Sequence, residues 1–267
     1  EAGRLIADPA VDGVVVCTPP STHFALAEAV LAAGKPLLLE KPMTGTLDEA
    51  ARLDGLAASG PPVMLGHSLR WNPVLIKARE LWPRLGKVRL IRLAQRLAPT
   101  QLAWQRDLVQ TVGGSVLLTG VHIFDLARWL SGAEFVRVDS RQRRVVNPVV
   151  EDQFLARAVL SDDCWVSLEV SKHTQSRACW LEAVGDEGQL QADYLEGGLV
   201  LRTGSSAERF EVSAKVPTLP VVLADWLTAI GEGTPPPVTA GDGLATIKVV
   251  EACYRSAAAG QEVSLTD

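Results

Sequence analysis

The stretch DGVVVCTPPSTH (residues 12–23), followed by GKPLLLEKP (residues 34–42), decides the fold. Val11–Cys17 is a continuous, mostly β-branched apolar run. A run without polar alternation reads as a strand covered on both faces, the habit of parallel sheets. Thr18-Pro19-Pro20-Ser21-Thr22-His23 breaks it as a loop. Ser21 or Thr22 stands where a helix over Phe24–Ala33 needs its cap, and Gly34 stands where that helix must stop. Pro36–Leu39 is a second short apolar strand that ends abruptly at Glu40-Lys41-Pro42. Thr46 then caps a helix to about Ala58, and Val63–Gly66 forms a third strand. The alternation of strand and helix predicts a doubly wound parallel sheet.

Residues 1–8 read as the end of a helix broken at Pro9, so the chain opens in the middle of an element. A three-stranded parallel sheet would leave an unprotected edge. The glycine-rich GxGxxG that grips a dinucleotide's diphosphate belongs to the first βαβ unit of such a sheet, and it occurs nowhere in the sequence. Gly13 and Gly34 do not replace it. The reading is therefore of a front cut short by roughly two βαβ units of about 30 residues each.

Beyond a helix at about Val74–Trp82 the pattern changes. Val88–Leu97 is a long strand, and Gly113-Gly114 opens an apolar helix to about Leu130 that ends near Gly132. Six strands follow in succession at Phe135–Arg141, Gln153–Leu160, Cys164–Ser171, Cys179–Val184, Gln189–Ala192 and Leu199–Arg202. Their order predicts one large, open, mostly antiparallel sheet. Val222–Ile230 is helical, Pro235-Pro236-Pro237 is a stiff connector, and Asp242–Ala259 is a last amphipathic helix closed by Gly260. The division implied is an incomplete parallel α/β domain over residues 1–86 and an α+β domain over residues 87–267.

The 267 residues are 47% hydrophobic and 21% charged, which excludes disorder as the main state. The net charge is −5 with no basic run, so neither nucleic acid nor an anionic membrane is an expected partner. Apolar stretches are interrupted short of a membrane span, and no signal peptide is visible. The four cysteines and four histidines are scattered without zinc spacing. Buried thiols in a reducing, cytoplasmic setting are the expectation.

Two groups of residues carry chemistry. Glu40-Lys41-Pro42 lies at the carboxyl end of a buried strand, where open α/β sheets bind ligands. There Lys41 can donate to a substrate hydroxyl and Glu40 can orient it; a surface ion pair is the alternative. On the helix beginning at Gly113, His122, Asp125 and Trp129 share a face. An Asp one turn away would orient the imidazole for proton transfer, although a lone helical His can also be purely structural.

Three segments together resemble the Gfo/Idh/MocA oxidoreductases, the group of glucose–fructose oxidoreductase and inositol dehydrogenase. They are residues 12–42, GGSVLLTGVHIFDLARWLSG (113–132) and PPVTAGDGLATIKVVEACYRSAAAGQEV (236–263). The resemblance implies a Rossmann domain for NAD or NADP and a C-terminal domain with a large open sheet, through which relatives form homo-oligomers. It implies a sugar, cyclitol or related polyol as substrate, oxidised at a secondary alcohol by hydride transfer. Thr18, Pro19, Pro20, His23, Glu40, Lys41 and Pro42 would border the cofactor, and Lys41 and His122 would be catalytic. Arg70, Asn72, Trp104, Arg106, Thr119 and Asp125 would line the substrate pocket. The family helix usually carries an Asp four residues before the His; here that position is Leu118, with Thr119 the nearest polar neighbour. Two other readings remain open: NAD-dependent glycoside cleavage by transient oxidation, and a non-catalytic sugar-binding or truncated homologue.

Overall fold

A computed structural model describes residues 1–265. Helix α1 (Ala2–Ala7) leads into β1 (Val14–Val16), α2 (His23–Ala32), β2 (Leu37–Leu39), α3 (Leu47–Ser59) and β3 (Val63–Leu65). The three strands form a parallel sheet in the order β1-β2-β3, with Val15, Leu38 and Met64 in register. Local signals act where the sequence puts them: the Thr46 hydroxyl accepts from the Glu49 N–H at 3.3 Å, and Gly34 follows α2 at φ 73°. The cap expected at Ser21 or Thr22 does not form. Thr22 instead donates to the Pro19 carbonyl, because a short 3-10 turn over Pro20–Thr22 precedes α2.

Helix α4 (Pro73–Leu81) leads to β4 (Val88–Arg96), and a short α5 (Leu108–Thr111) precedes a π turn over Val116–Gly120 and α6 (Val121–Ser131). Strands β5 (Phe135–Arg143), β6 (Gln153–Leu160), β7 (Trp165–Ser171), β8 (Ala178–Gly185), β9 (Gln189–Asp193), β10 (Leu199–Thr203) and β11 (Ser206–Phe210) follow. With α7 (Leu219–Glu232), α8 (Ala240–Ala259) and β12 (Val263–Ser264) they complete the described chain. The second sheet has nine strands in the order β11-β10-β9-β8-β4-β7-β6-β5-β12. Only β4 and β7 pair in parallel; every other pair is antiparallel. Strand β6 shows the alternation such a sheet requires, with Phe154, Ala156, Ala158 and Leu160 buried and Leu155 exposed.

The outer face of this sheet is a lattice of ion pairs: Arg92–Glu182, Arg96–Glu169 and Arg157–Asp139. Trp165 lies in the same face with 66% of its surface exposed. The helical run Leu108–Ser131 is long and apolar enough to cross a membrane by length and composition, a correction to the sequence reading. However, 72% of its most apolar window is buried inside the fold.

The last two helices return to the first sheet. Val222 and Trp226 of α7 cover Leu38 and Met64, while α8 packs on α3 and β3. This cover stops short of β1, so Val15 is 45% exposed and the expectation of a strand buried on both faces fails there. Cys17, one residue beyond the strand, is likewise exposed, whereas Cys164, Cys179 and Cys253 are buried free thiols.

A buried ion network joins the two sheets. Arg70, in the turn after β3, grips Asp125 of α6 with two hydrogen bonds of 2.9 and 2.6 Å, and the same guanidinium reaches Asp242 of α8 at 2.9 Å. Asp125 is almost wholly enclosed. Removing one member of such a pair strands a buried charge. Asp125→Ala should therefore lower the unfolding free energy by about 3 kcal/mol in urea titration. A loss below about 0.5 kcal/mol, the range of ordinary surface changes, would show that the clamp is idle.

Candidate active site

The wholly buried Leu37–Leu39 drives β2 through the core, so the charged pair after it emerges at the sheet's carboxyl edge. The Lys41 ammonium donates to the Leu118 carbonyl in the π turn at 2.8 Å. Glu40 does not pair with that ammonium; its carboxylate accepts from the Lys41 backbone N–H at 3.2 Å. The Lys41–Pro42 peptide is cis. The Pro42 carbonyl lies 2.7 Å from His23 Nδ1, and the Thr18 carbonyl lies 2.9 Å from His23 Nε2. His23 is thus a buried tie between the two loops. Burial lowers its pKa, against the pull of both carbonyls toward imidazolium. Thr18 is exposed, with its hydroxyl 2.6 Å from that of Thr22, while Pro19 is half-buried and Pro20 buried.

His122 follows the π turn, a local widening that recurs at functional sites. Its ring meets that of His67, at the end of β3, edge to face at 6.2 Å between centroids. His122 Nδ1 and both nitrogens of His67 are buried without a hydrogen-bond partner. Burial pushes the Lys41 ammonium down to about 8, with Lys172 adding to the fall and Glu40 opposing it. His122 lies well below the ordinary histidine value, first through burial and then through Lys41, His67 and Lys172. His67 is lowered mainly by burial. These mutual influences bring Lys41, His122 and Lys172 into one electrostatic unit.

Beside them opens a cavity of about 240 Å³, lined by Thr100, Gln105, Arg106, Ser115, Leu118, Glu151, Asp152 and Lys172 among others. Of the residues expected to line a substrate pocket, Arg106 lines this cavity, whereas Arg70, Asn72, Trp104, Thr119 and Asp125 are not among its lining residues. Arg70 and Asp125 bind each other, so Asp125 does not orient His122. Asn72 is the N-cap of α4: its carbonyl accepts from Val74 and Leu75, and its amide donates to the Tyr194 carbonyl at 2.9 Å. Thr119 is buried within the π turn. Trp104 sits half-buried in a 3-10 turn next to Gln105. Lys172, directly after β7, was not singled out in the sequence. The available signal is a lysine at the carboxyl end of a strand that pairs in parallel with β4.

The strand ends fit the reactive end of a dinucleotide. Three buried ring nitrogens lack partners, and Lys41 uses one of its three N–H groups. A parallel sheet with such a crevice, joined to a nine-stranded lobe that supplies an imidazole, defines a two-lobed α/β oxidoreductase of the nicotinamide-dependent class. Residues 2–67 match the profile of an oxidoreductase family's NAD-binding Rossmann fold, and residues 83–265 match that family's C-terminal alpha/beta domain. The chain belongs to this Gfo/Idh/MocA family.

It is 30% identical to inositol 2-dehydrogenase 1 of Saccharopolyspora erythraea, over 98% of this chain and 80% of that protein. The crystal structure of an oxidoreductase domain protein from Kribbella flavida superposes with a TM-score of 0.92 at 25% identity, covering 100% of this chain and 84% of that one. GenD2 from gentamicin A biosynthesis, solved in complex with NAD, gives 0.88 at 28% identity, covering 99% of this chain and 81% of that one.

The lowered proton affinity of Lys41 is directly measurable. After reductive ¹³C-methylation, the resonance lost on Lys41→Met should titrate with a midpoint near pH 8. A midpoint at the ordinary lysine value of about 10.4 would show that the ammonium is solvated.

Proposed function

We propose that this oxidoreductase acts on a secondary alcohol of a sugar, cyclitol or related polyol, with Lys41 and His122 at the reacting carbon. The observation that carries the reading is the hydrogen bond that holds the Lys41 ammonium on the Leu118 carbonyl, one turn before His122. The similarity to inositol 2-dehydrogenase supports the substrate class, and the NAD-bound relative supports NAD over NADP. Glu40, Lys41 and Pro42 would border the nicotinamide, with Thr18, Pro19 and Pro20 beside them. His23 would hold these loops together without touching the cofactor. When bound, the nicotinamide accepts a hydride from the carbinol carbon.

The remaining work falls to side chains of this chain. Lys41 donates a hydrogen bond to the carbinol oxygen and stabilises negative charge as it develops there. His122, neutral at pH 7 because burial holds its pKa low, takes the hydroxyl proton. Residues 1–86 would form the cofactor lobe and residues 87–267 the substrate lobe, with α7 and α8 crossing between them.

Lys41→Met should lower turnover about 10²–10³-fold. The pH profile separates the roles. His122 is already neutral well below pH 6.5, and Lys41 loses its proton near pH 8. Initial rates of oxidation should be level through neutrality and fall as pH rises through about 8. A rise through the same range would instead make neutral Lys41 the base.

The exposed Trp165 and Leu155 in the outer face of the large sheet support self-association through that face, with the surrounding ion pairs setting its register. Light scattering should give a mass of two or more chains that drops to one on Trp165→Glu. A monomer at micromolar concentration in the unmutated protein refutes the assembly.

A further inference from the structure

The cavity beside Lys41 holds both signs of charge, but the two signs are in different states. Its acids are already engaged. Asp152 accepts three backbone N–H groups, from Val145, Val146 and Asn147, at 2.7–2.8 Å. Glu151 accepts from the Tyr254 hydroxyl at 2.8 Å and the Val116 N–H at 3.1 Å, and burial raises its pKa. Its cations meet only neutral acceptors. Lys172 donates to the Gln105 side-chain carbonyl at 3.2 Å and Arg106 to the Thr100 carbonyl at 3.2 Å; Lys41, outside the lining, donates at 2.8 Å to the carbonyl of Leu118, which lines it.

An ammonium has three donors and a guanidinium five, so each cation keeps donors free. The chamber therefore offers spare positive donors, beside an Asp152 carboxylate occupied by three N–H groups and a Glu151 carboxyl bonded through Oε1. Lys172 also depresses the proton affinity of Lys41 and His122, which means positive charge is crowded at this point. Asp152 offsets part of the Lys172 charge electrostatically but makes no ion pair with it within 4 Å. A neutral polyol entering here would leave the half-buried Lys172 ammonium without counter-charge, which is costly in a low-dielectric site, while the exposed Arg106 guanidinium stands at the chamber's edge with donors free. A ligand carboxylate removes that cost: its two oxygens match one ammonium and one guanidinium. Leu118 both lines the chamber and holds Lys41, so a ligand seated there presents its next carbons to the Lys41–His122 pair.

We infer that the substrate is a polyol bearing a carboxylate, an aldonic or uronic acid, and that Lys172 with Arg106 selects it by binding that carboxylate. The inference rests on the proposed alcohol oxidation for its carbinol end only. The carboxylate end stands on the cavity itself.

Calorimetry on the 267-residue chain, in the presence of NADH, tests it with matched ligands: D-glucuronate against D-glucose, D-galacturonate against D-galactose, and D-gluconate against sorbitol. At least one acid should bind tenfold or more tighter than its neutral partner. That ratio should fall to about one in Lys172→Met, and also in Lys172→Gln should the first variant fold poorly. The methyl ester of the preferred acid, tested on the unmutated protein, should lose the same factor and needs no variant. Equal binding of acid and neutral partner overturns the inference, as does no binding of any, or a preference confined to D-glucose 6-phosphate. NAD reduction with the same six compounds separates this failure from that of the proposed function. Turnover of neutral sugars without acid preference sinks only the carboxylate site, while acid-selective binding without turnover of any polyol sinks only the oxidation.

Discussion

The hydrogen bond from the Lys41 ammonium to the Leu118 carbonyl is the joint on which the site depends. It spans 77 residues of sequence and links the edge of the parallel sheet to the helix that carries His122. Its acceptor is neutral. A carboxylate in that place would hold the lysine proton firmly, whereas a carbonyl leaves burial as the dominant influence and brings the group to about 8. The π turn contributes by widening the helix just before His122, so that a main-chain oxygen and an imidazole sit one turn apart beside the same crevice. Leu118 thus serves twice: the residue lines the cavity and its backbone carbonyl receives the lysine.

Such a joint has meaning only if the two lobes keep their distance, and the Arg70 network keeps it. Arg70 leaves the first sheet immediately after His67, meets Asp125 three residues beyond His122, and continues to Asp242 at the start of α8. Arg128 reaches the same Asp242 at 3.3 Å and pairs with Glu134. Burial opposes the charge on Asp242, but Arg70 beside it keeps its carboxyl below the ordinary range. The capping box of Thr239 and Asp242 anchors α8 at the same point. One carboxylate thereby starts a helix, closes an ion network and fixes the imidazole-bearing helix against the sheet.

What was legible in the sequence is what local chemistry dictates. Leu37–Leu39 reads as a buried strand because three leucines between Pro36 and Glu40 leave few other structures, and Thr46 caps α3 because its hydroxyl lies one turn from the Glu49 N–H. Strand β11, with the sequence SAERF and almost wholly exposed, carries no apolar alternation; only its pairing with β10 makes it a strand. The polar residues near the motifs were harder still. Arg70, Asn72 and Asp125 have the residue types of a sugar site, but whether a guanidinium meets a ligand or another helix is decided by packing across 55 or more residues. Lys172 shows the converse. Nothing in its neighbours marks it, and its role appears only when β7 is laid parallel to β4 and its ammonium arrives beside Lys41 and His122.

The electrostatics of the site follow from that late arrival. Two ammonium groups and two imidazoles converge here; Glu40 offsets Lys41 and Asp152 offsets Lys172, both carboxylates already bonded to backbone N–H groups, while Asp125 and Asp242 act on His67. Burial, with little counter-charge to offset it, lowers the proton affinity of both histidines and both lysines. A site in that state is poised to receive a proton and to welcome negative charge, whether a developing alkoxide or a group the ligand already carries.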